Sequence, residues 1–366
     1  MTLSVITDRK AARARFLADA GWGNAPRFSM GQDASTRSYL RLLQGGQRAI
    51  LMDAPPAAES APCGADADTQ TRINAGWNAR TRLAACRVDA FVGIANYLRS
   101  LGLSAPEVYA FDVEGGFALI EDLGDGVFAR LLEADADEHA LYMQATDCLA
   151  MVHNAPPPAE VSAGPFSWPI LPYDRLALST GADLFPKWYP RYDDRVRISG
   201  ALARDLDDIV FGYCEHLASL PQIFMLRDYH AENLLWLPER DGNARVGILD
   251  FQDAVRGPAA WDLAMFVQDA RRDVSPDVQA AIVRRYVEQT GQDEESFLKD
   301  LAMAGAVNAL RILGVFARLI HRDGKTRYGA FLEREWGHLE DSVSHPSLAD
   351  LRQVLAAAVP HREGLK

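Results

Sequence analysis

The apolar pattern of this chain changes its period once, near residues 122–126, and this change constrains the fold more than any other feature. Upstream of it, apolar residues alternate in short runs separated by turn residues, which is the pattern of strands. Five such runs stand at 27–30, 37–43, 47–52, 108–112 and 117–121. The Gly45-Gly46 pair between two of them predicts a β-hairpin, because glycine accepts the positive φ that a two-residue turn requires.

Downstream of the change, apolar residues recur at helical spacing. Helices are predicted at 142–153, 199–217, 276–288 and 301–320, and before the change also at 8–20 and 88–101. This order predicts an α+β fold of two lobes. We expect residues 1–122 to form a small lobe with an antiparallel sheet and one helix besides the short N-terminal one at 8–20, and residues 123–366 to form a larger, mainly helical lobe.

Composition narrows the possible functions. The chain has 366 residues, 48% of them hydrophobic, and four widely spaced cysteines with no C-x-x-C pair, which favours a protein of the reducing cytoplasm. Its net charge of −12 argues against a nucleic-acid partner, because phosphate backbones attract basic surfaces. A signal peptide and a run of about 18 uncharged apolar residues are both lacking. We therefore expect a cytoplasmic monomer without a membrane partner.

Ionisable and polar side chains are concentrated in two loops of the helical half, R-D-Y-H-A-E-N at 227–233 and L-D-F-Q-D at 249–253. Short apolar runs at 223–226, 233–237 and 246–249 flank these loops and read as strands. Phosphoryl transfer needs a carboxylate that accepts the proton of an attacking hydroxyl, and oxygen ligands for Mg²⁺ on the nucleotide phosphates. Asp228 suits the first task, and Asn233 with Asp250 suits the second.

This arrangement resembles the protein-kinase-like small-molecule phosphotransferases, the superfamily of aminoglycoside phosphotransferases and choline kinases, over nearly the whole chain. The resemblance includes a G-x-x-x-x-D-L-A segment at 257–264. It implies a protein-kinase-like fold, ATP and Mg²⁺ as cofactors, and a site supported by Arg227, Asp253 and Asp262, with Asp262 bracing the catalytic loop from beneath. For Asp253, capping of a following helix is the alternative to support of the site.

Three further segments are similar to the bacterial anomeric amino-sugar kinases of cell-wall recycling. They are M-D-A-P-P at 52–56, F-P-K-W-Y at 185–189 and L-G-V-F-A-R-L-I-H-R-D-G-K at 313–325. Such enzymes phosphorylate N-acetylmuramate and N-acetylglucosamine at the anomeric hydroxyl. The resemblance implies a small sugar substrate and an α-1-phosphate product.

The loop at 31–39 falls between the first two strands, and the nucleotide phosphates are expected beneath this loop. Backbone N–H groups in such a turn can cradle phosphates, and the predicted contacts are Gly31, Ser35, Thr36 and Arg37. Backbone groups of Glu121 and Leu123 would meet the adenine edge. A polar hairpin tip and a plain interdomain turn are the alternatives for these two segments.

One departure from the family pattern concerns the third strand. Related folds carry there a lysine that grips the α- and β-phosphates, and this chain has Met52. Methionine has no charge to offer a phosphate. Arg37, Arg41 or Arg48 could supply the charge instead, and the sequence does not choose among them.

The substrate side has the weakest signals. Candidate contacts are Tyr173, Asp174, Trp188 and His230. The aromatic side chains could instead fill the core, Asp174 could cap the following helix, and His230 could pack within its loop. Between 165 and 200, five basic and four acidic residues give a net charge of +1, which suits a neutral or carboxylate-bearing sugar better than a polycationic aminoglycoside.

Two other segments resemble catalytic or phosphate-binding motifs but lack a required residue. H-R-D at 321–323 lacks the asparagine that should follow, and G-K-T at 324–326 lacks the earlier glycine of a P-loop.

The alternatives to an amino-sugar kinase are a phosphotransferase for another small alcohol or an aminoglycoside, and a nucleotide-binding pseudokinase, which Met52 suggests. A protein kinase is disfavoured because no A-P-E segment follows Asp250.

Overall fold

The computed structural model describes residues 3–31, 36–56 and 58–365, and the chain folds into two compact units. The first unit comprises Met1–Leu131, Pro158–Leu171 and Glu232–Ala254. The second comprises Leu132–Pro157, Pro172–Ala231 and Val255–Lys366. These units interleave along the chain, whereas the predicted lobes meet at a single point after residue 122. That lobe boundary stays a prediction.

Eleven strands lie in the described residues. They are β1 Arg27–Ser29, β2 Ser38–Gln44, β3 Gln47–Asp53, β4 Val108–Asp112, β5 Phe117–Glu121, β6 Glu160–Ala163, β7 Phe166–Pro169, β8 Gln222–Met225, β9 Leu234–Trp236, β10 Val246–Ile248 and β11 Val255–Pro258. The first five form an antiparallel sheet of order β1-β2-β3-β5-β4, and the others pair as β6-β7, β8-β11 and β9-β10. The five predicted N-terminal strands are all present.

Fourteen α-helices are described. They are α1 Leu3–Asp19, α2 Thr69–Ala75, α3 Trp77–Thr81, α4 Val88–Ser100, α5 Phe128–Glu133, α6 Glu138–Asn154, α7 Arg175–Ser179, α8 Leu184–Tyr192, α9 Gly200–Ser219, α10 Ala259–Val267, α11 Pro276–Thr290, α12 Glu294–His321, α13 Leu332–Val343 and α14 Ala349–Ala358. The six predicted helices correspond to α1, α4, α6, α9, α11 and α12. Most of the others have nine residues or fewer, too few turns to establish a helical period, and α13 and α14, with 12 and 10 residues, were also not predicted.

The five-stranded sheet of the first unit has two different faces. Alternate residues of β2, β3 and β5, among them Leu42, Leu51 and Leu119, point into an apolar cluster with Leu17 of α1. The opposite face carries charged and apolar residues in mixture. Gly45 and Gly46 turn between β2 and β3 with φ of 57° and 83°, so the predicted hairpin is confirmed. One face of the sheet therefore packs against α1, whereas the other face, which is also buried at Ile50, Met52 and Ile120, points away from this cluster.

Helix α12 is the longest helix of the second unit, with 28 residues. By length and composition alone, it is long and apolar enough to cross a membrane. However, 67% of its most apolar window is buried inside the protein, which is typical of a core helix. Gly314 on this helix approaches the backbone of α8 so closely that a Cβ would lie 2.4 Å from the Phe185 nitrogen, so only glycine allows this packing.

Candidate active site

The first unit contains a cavity of about 480 Å³. Six of the residues predicted from sequence line it, two from the nucleotide loop, two from the end of β5 and two from the metal pair: Gly31, Arg37, Glu121, Leu123, Asn233 and Asp250. The other lining residues include Met30, Tyr39, Ile50, Phe91, Pro106, Ile120, Asp122, Gly124, Arg130, Glu232, Leu235 and Leu249. Residues that are far apart in the sequence therefore line the same cavity.

Apolar side chains form the inner part of this cavity. Ile50 on β3 and Ile120 on β5 are directly paired across the sheet, so their side chains lie on the same face. Leu235 on β9 and Leu249 just after β10 add further apolar lining. The carboxylate of Glu121 forms an ion pair with Arg240, and the Glu121 N–H donates to the Glu107 carbonyl at 2.8 Å. Such a pocket suits a flat, apolar ring with polar edges.

Pairing of β9 with β10 brings the two predicted metal ligands together. Leu234 lies opposite Ile248, and the N–H of Leu249 donates to the carbonyl of Asn233 at 2.9 Å. Asn233 directly precedes β9, and Asp250 follows the end of β10, so both residues lie at the same end of this hairpin. Asp250 adopts a left-handed backbone with a φ of 54°, a conformation that costs a non-glycine residue energy and is often found at functional positions.

The donors present at this place fit a magnesium ion. Asn233 offers an amide oxygen and Asp250 a carboxylate, both hard ligands on the wall of the same cavity. Within residues 3–31, 36–56 and 58–365, no group of three or more His, Cys, Asp or Glu side chains could hold a metal ion. Mg²⁺ commonly binds through one or two protein oxygens together with substrate phosphates, so a nucleotide would complete the site.

Arg37 contacts Asp250 inside the cavity. Its Nη2 donates to Asp250 Oδ1 at 3.1 Å. Burial alone would lower the pKa of Arg37, but Tyr39, Asp250, Asp253 and nearby Glu59 together raise it above its ordinary value. Burial also raises the pKa of Tyr39 to about 12, so this phenol stays neutral at physiological pH. The guanidinium of Arg37 thus keeps its full charge within the pocket.

The other two candidate arginines have different partners. Arg41 forms ion pairs with Asp122 at 2.8 Å and Asp125 at 2.9 Å, and Arg48 lies 3.8 Å from Asp122. Both therefore lie toward the segment after β5. Among these three alternatives, Arg37 is the one that lines the cavity.

Gln252 was not predicted as a site residue, although it stands between two residues that were. Its amide donates to Asp250 Oδ1 at 2.8 Å and to Asp253 Oδ2 at 3.3 Å. Asp253 in turn accepts the N–H of Ala84 at 2.6 Å, so it links this loop to the chain before α4. The supporting role of Asp253 stays a prediction. The side-chain amide of Gln252 orients both carboxylates, a role that no local pattern signals.

Of the two remaining predicted phosphate contacts, Ser35 lies outside the described residues. The hydroxyl of Thr36 donates to Glu59 Oε1 at 2.5 Å and contacts the Cys86 sulfur at 3.3 Å, and Thr36 does not line the cavity. Its polar group is therefore directed to the segment after β3 rather than to the cavity.

In the second unit, the peptide before Asp228 is held by Asp262. The N–H groups of Leu226 and Arg227 donate to the two Asp262 oxygens at 2.6 and 2.7 Å, and Asp262 is fully buried. Arg227 has a left-handed φ of 74°, and its guanidinium lies over the ring of Tyr173, 4.8 Å from the centroid. The supporting roles of Asp262 and Arg227 and the role of Asp228 stay predictions.

The four candidate substrate contacts belong to the second unit and differ in availability. Tyr173 is 2% exposed and packs edge-on against Trp261, as a core residue does. The carboxylate of Asp174 accepts the Ala177 N–H at 3.0 Å and so caps α7, the alternative that the sequence left open. His230 is buried, with Arg271 3.4 Å from its Nε2. Trp188 is half-buried beside Arg191. Substrate contact by these residues stays a prediction.

Comparison with known proteins places the chain in a family. A model of the phosphotransferase enzyme family matches residues 29–301. The N-acetylmuramate/N-acetylglucosamine kinase of Caulobacter vibrioides is 48% identical over 98% of this chain and 99% of its own length. The enzyme of the same name from Pseudomonas aeruginosa is 31% identical, over 92% of this chain and 90% of its own.

Solved structures agree on the fold. A choline/ethanolamine kinase family protein from Mesorhizobium loti, 15% identical in sequence, has a TM-score of 0.54 over 96% of this chain and 99% of its own. The predicted α+β, protein-kinase-like fold is thereby confirmed. With a family model over most of its length and relatives that match it nearly end to end, the chain belongs to the phosphotransferase enzyme family.

Proposed function

We propose that this protein is a cytoplasmic, monomeric kinase that uses ATP and Mg²⁺ to phosphorylate the anomeric hydroxyl of N-acetylmuramate or N-acetylglucosamine. The observation that carries the proposal is that Arg37, Asn233, Asp250 and the end of β5 line the same cavity. Its sugar substrate is supported by the 48% identity to a kinase named for both sugars. The product would be the sugar 1-phosphate.

The nucleotide would occupy the cavity of the first unit. The purine would lie between Ile50, Ile120 and Leu235, with the backbone of Glu121 and Leu123 at its edge. Asn233 and Asp250 would hold Mg²⁺, which offsets the charge of the phosphates when it is bound. This arrangement orients the γ-phosphate, and positioning supplies most of the catalysis in phosphoryl transfer.

Asp228 would accept the proton of the sugar hydroxyl as it attacks the γ-phosphate. A carboxylate does this best when its peptide is rigid, because a general base must stay within hydrogen-bond reach of the proton. The two hydrogen bonds from Leu226 and Arg227 to buried Asp262 support that role. The new bond joins the sugar oxygen to phosphorus, and ADP leaves with the electrons of the broken bond.

Phosphorus NMR of the product tests this function. The protein is incubated with ATP, Mg²⁺ and N-acetylmuramate, and in parallel with N-acetylglucosamine. We expect a new phosphomonoester signal whose proton coupling assigns it to C1. A signal assigned to another oxygen, or no transfer to either sugar, would reject the proposal.

A second enzymatic reading is a kinase for another small alcohol or an aminoglycoside. A coupled assay for ADP over sugars, choline and aminoglycosides distinguishes it, because the preferred acceptor alone accelerates ADP release. A pseudokinase is suggested by Met52, which is 1% exposed where related folds have a lysine. Turnover of any acceptor in the coupled assay would exclude the pseudokinase.

A further inference from the structure

We propose that Arg37 is the phosphate-binding cation of this enzyme, replacing the missing third-strand lysine, and that it exchanges its partner Asp250 for the nucleotide phosphates when the metal–nucleotide complex binds. This inference rests on the proposed nucleotide site. Beyond that site, Arg37 is assigned the task of binding the phosphates. Its ion pair with Asp250 is also expected to weaken metal binding when no nucleotide is bound.

Strand register shows how an arginine immediately before β2 can replace a lysine on β3. Tyr39 lies directly opposite Met52, and Arg41 lies opposite Ile50. Directly opposed residues share a face of the sheet, and so do alternate residues of one strand. Arg37 lies two positions before Tyr39 and lines the cavity with it, so it continues the row that faces the cavity, one diagonal step from Met52.

Position along this row separates Arg37 from the two other arginines on the same face. Arg41 and Arg48 pair with Asp122, at the end of the row next to the purine edge. Arg37 is at the opposite end and pairs with Asp250. A triphosphate that extends from the purine edge toward the Asn233 and Asp250 oxygens ends beside Arg37, which places this positive charge next to the phosphates.

The chemistry of the guanidinium permits an exchange of partner. Arginine has five N–H donors in a planar fork, which suits carboxylate and phosphate oxygens equally well. The Arg37 side chain is 11% exposed and that of Asp250 is 42% exposed, so the pair lies at the boundary of the cavity. Phosphate oxygens carry more negative charge than one carboxylate, and a metal at Asp250 would compete with the guanidinium for that carboxylate.

Two opposite effects on binding follow. Without nucleotide, the positive charge of Arg37 neutralises Asp250 and repels a metal ion, so a divalent metal alone binds weakly. With nucleotide, the phosphates attract the guanidinium, and Asp250 becomes available to the metal. Removal of the Arg37 charge should therefore strengthen binding of metal alone and weaken binding of the metal–nucleotide complex.

Titration calorimetry on the full chain measures both quantities, with Mn²⁺ alone and with Mg²⁺ plus a non-hydrolysable ATP analogue as the probes. The variants are Arg37→Met, Arg37→Lys and, as a matched loss of an exposed arginine, Arg204→Met. For Arg37→Met we expect nucleotide affinity to fall about 10- to 100-fold, as for loss of a charged hydrogen bond. Mn²⁺ affinity should rise about 5-fold. Arg37→Lys should recover part of the nucleotide affinity.

A lysine returned to the third strand tests the replacement directly. In the double variant Arg37→Met with Met52→Lys, the new ammonium lies on the same face as the lost guanidinium, and we expect nucleotide affinity to recover about 10-fold relative to Arg37→Met. Should the buried lysine prevent folding, the opposite shifts of metal and nucleotide affinity in Arg37→Met still decide the question.

Two results would overturn the inference. One is nucleotide affinity in Arg37→Met equal to that of Arg204→Met. The other is parallel weakening of Mn²⁺ and nucleotide binding, which would mean that Arg37 only maintains the shape of the cavity. Failure of the proposed function can be distinguished from failure of this inference. In the first case the wild-type protein would bind nucleotide without phosphorylating a sugar, and the effect of Arg37→Met on binding could still be measured.

Discussion

His153 Nε2 lies 3.2 Å from Asp262 Oδ2, and the Nδ1 of the same ring lies 2.6 Å from the Tyr286 hydroxyl. These three residues belong to α6, α10 and α11, and all are buried. Since Asp262 also accepts the N–H groups of Leu226 and Arg227, three helices jointly fix the peptide that precedes Asp228. The loop that carries Asp228 is thus anchored to a buried polar network of the second unit.

Asp262→Ala should lower the free energy of unfolding by about 2 to 5 kcal/mol, because two buried N–H donors lose their acceptor. Urea unfolding measures this change. Asp208→Ala removes an exposed carboxylate from α9 and should stay within about 0.5 kcal/mol of wild type. If both variants unfold at the same urea concentration as wild type, Asp262 does not hold the loop as described.

Arg41→Met should destabilise the protein by about 2 to 3 kcal/mol, since Asp122, whose side chain is 2% exposed, loses its nearest cation. Arg48→Met removes a half-exposed partner 3.8 Å from the same carboxylate and should cost less than about 1 kcal/mol. Urea unfolding of both variants gives the comparison. Because Asp122 lines the cavity, Arg41→Met should also raise the KM for ATP. Equal stability of the two variants would contradict this ranking.

Glu335 on α13 should make stability depend on pH. Burial raises the pKa of Glu335 above its ordinary value of 4.5, although His338 and Arg311 oppose this shift. The folded protein therefore binds this proton more tightly than the unfolded chain. The resulting stability is fully present below pH 4.5 and is lost as the pH rises through the raised pKa.

Replacement by glutamine removes that titration while it keeps the side-chain shape. We expect Glu335→Gln to gain stability relative to wild type as the pH increases from about 4 to about 7, measured by urea unfolding at each pH. Glu288→Gln, an exposed glutamate on α11, should remain within about 0.5 kcal/mol of wild type. A difference between wild type and Glu335→Gln that shrinks with rising pH would contradict the predicted sign.

Asp228→Asn should reduce phosphate transfer by at least about 100-fold while nucleotide binding persists, because the amide cannot accept the hydroxyl proton. Single-turnover assays with N-acetylmuramate measure the transfer, and Asp208→Asn serves as the control. Substantial turnover by Asp228→Asn would reject its assignment as the proton acceptor.

Asp250→Ala should weaken binding of ATP in the presence of Mg²⁺ and have less effect in its absence, because the carboxylate contributes through the metal. Calorimetry with and without metal separates the two effects. The same loss of affinity in both conditions would indicate that Asp250 acts on the nucleotide without a metal.

Local pattern predicted much of the first unit. Strands β4 and β5 have the predicted bounds, 108–112 and 117–121, because each is a short apolar run with turn residues between them. The small hairpin β6-β7 escaped prediction because E-V-S-A and F-S-W-P are not continuous apolar runs. Residue chemistry and motif order also predicted that Asn233 and Asp250 act together, and both line the same cavity.

The partners of individual side chains could not be predicted in this way. Whether Arg37, Arg41 or Arg48 meets Asp250 depends on the register of β2 with β3 and on the β9-β10 hairpin, and Arg37 and Asp250 are 213 positions apart in the chain. The sequence by itself determined the N-terminal strands, the longer helices and the types of reactive group. Only the tertiary structure decided which charges meet, because a local period carries no information about contacts between distant segments.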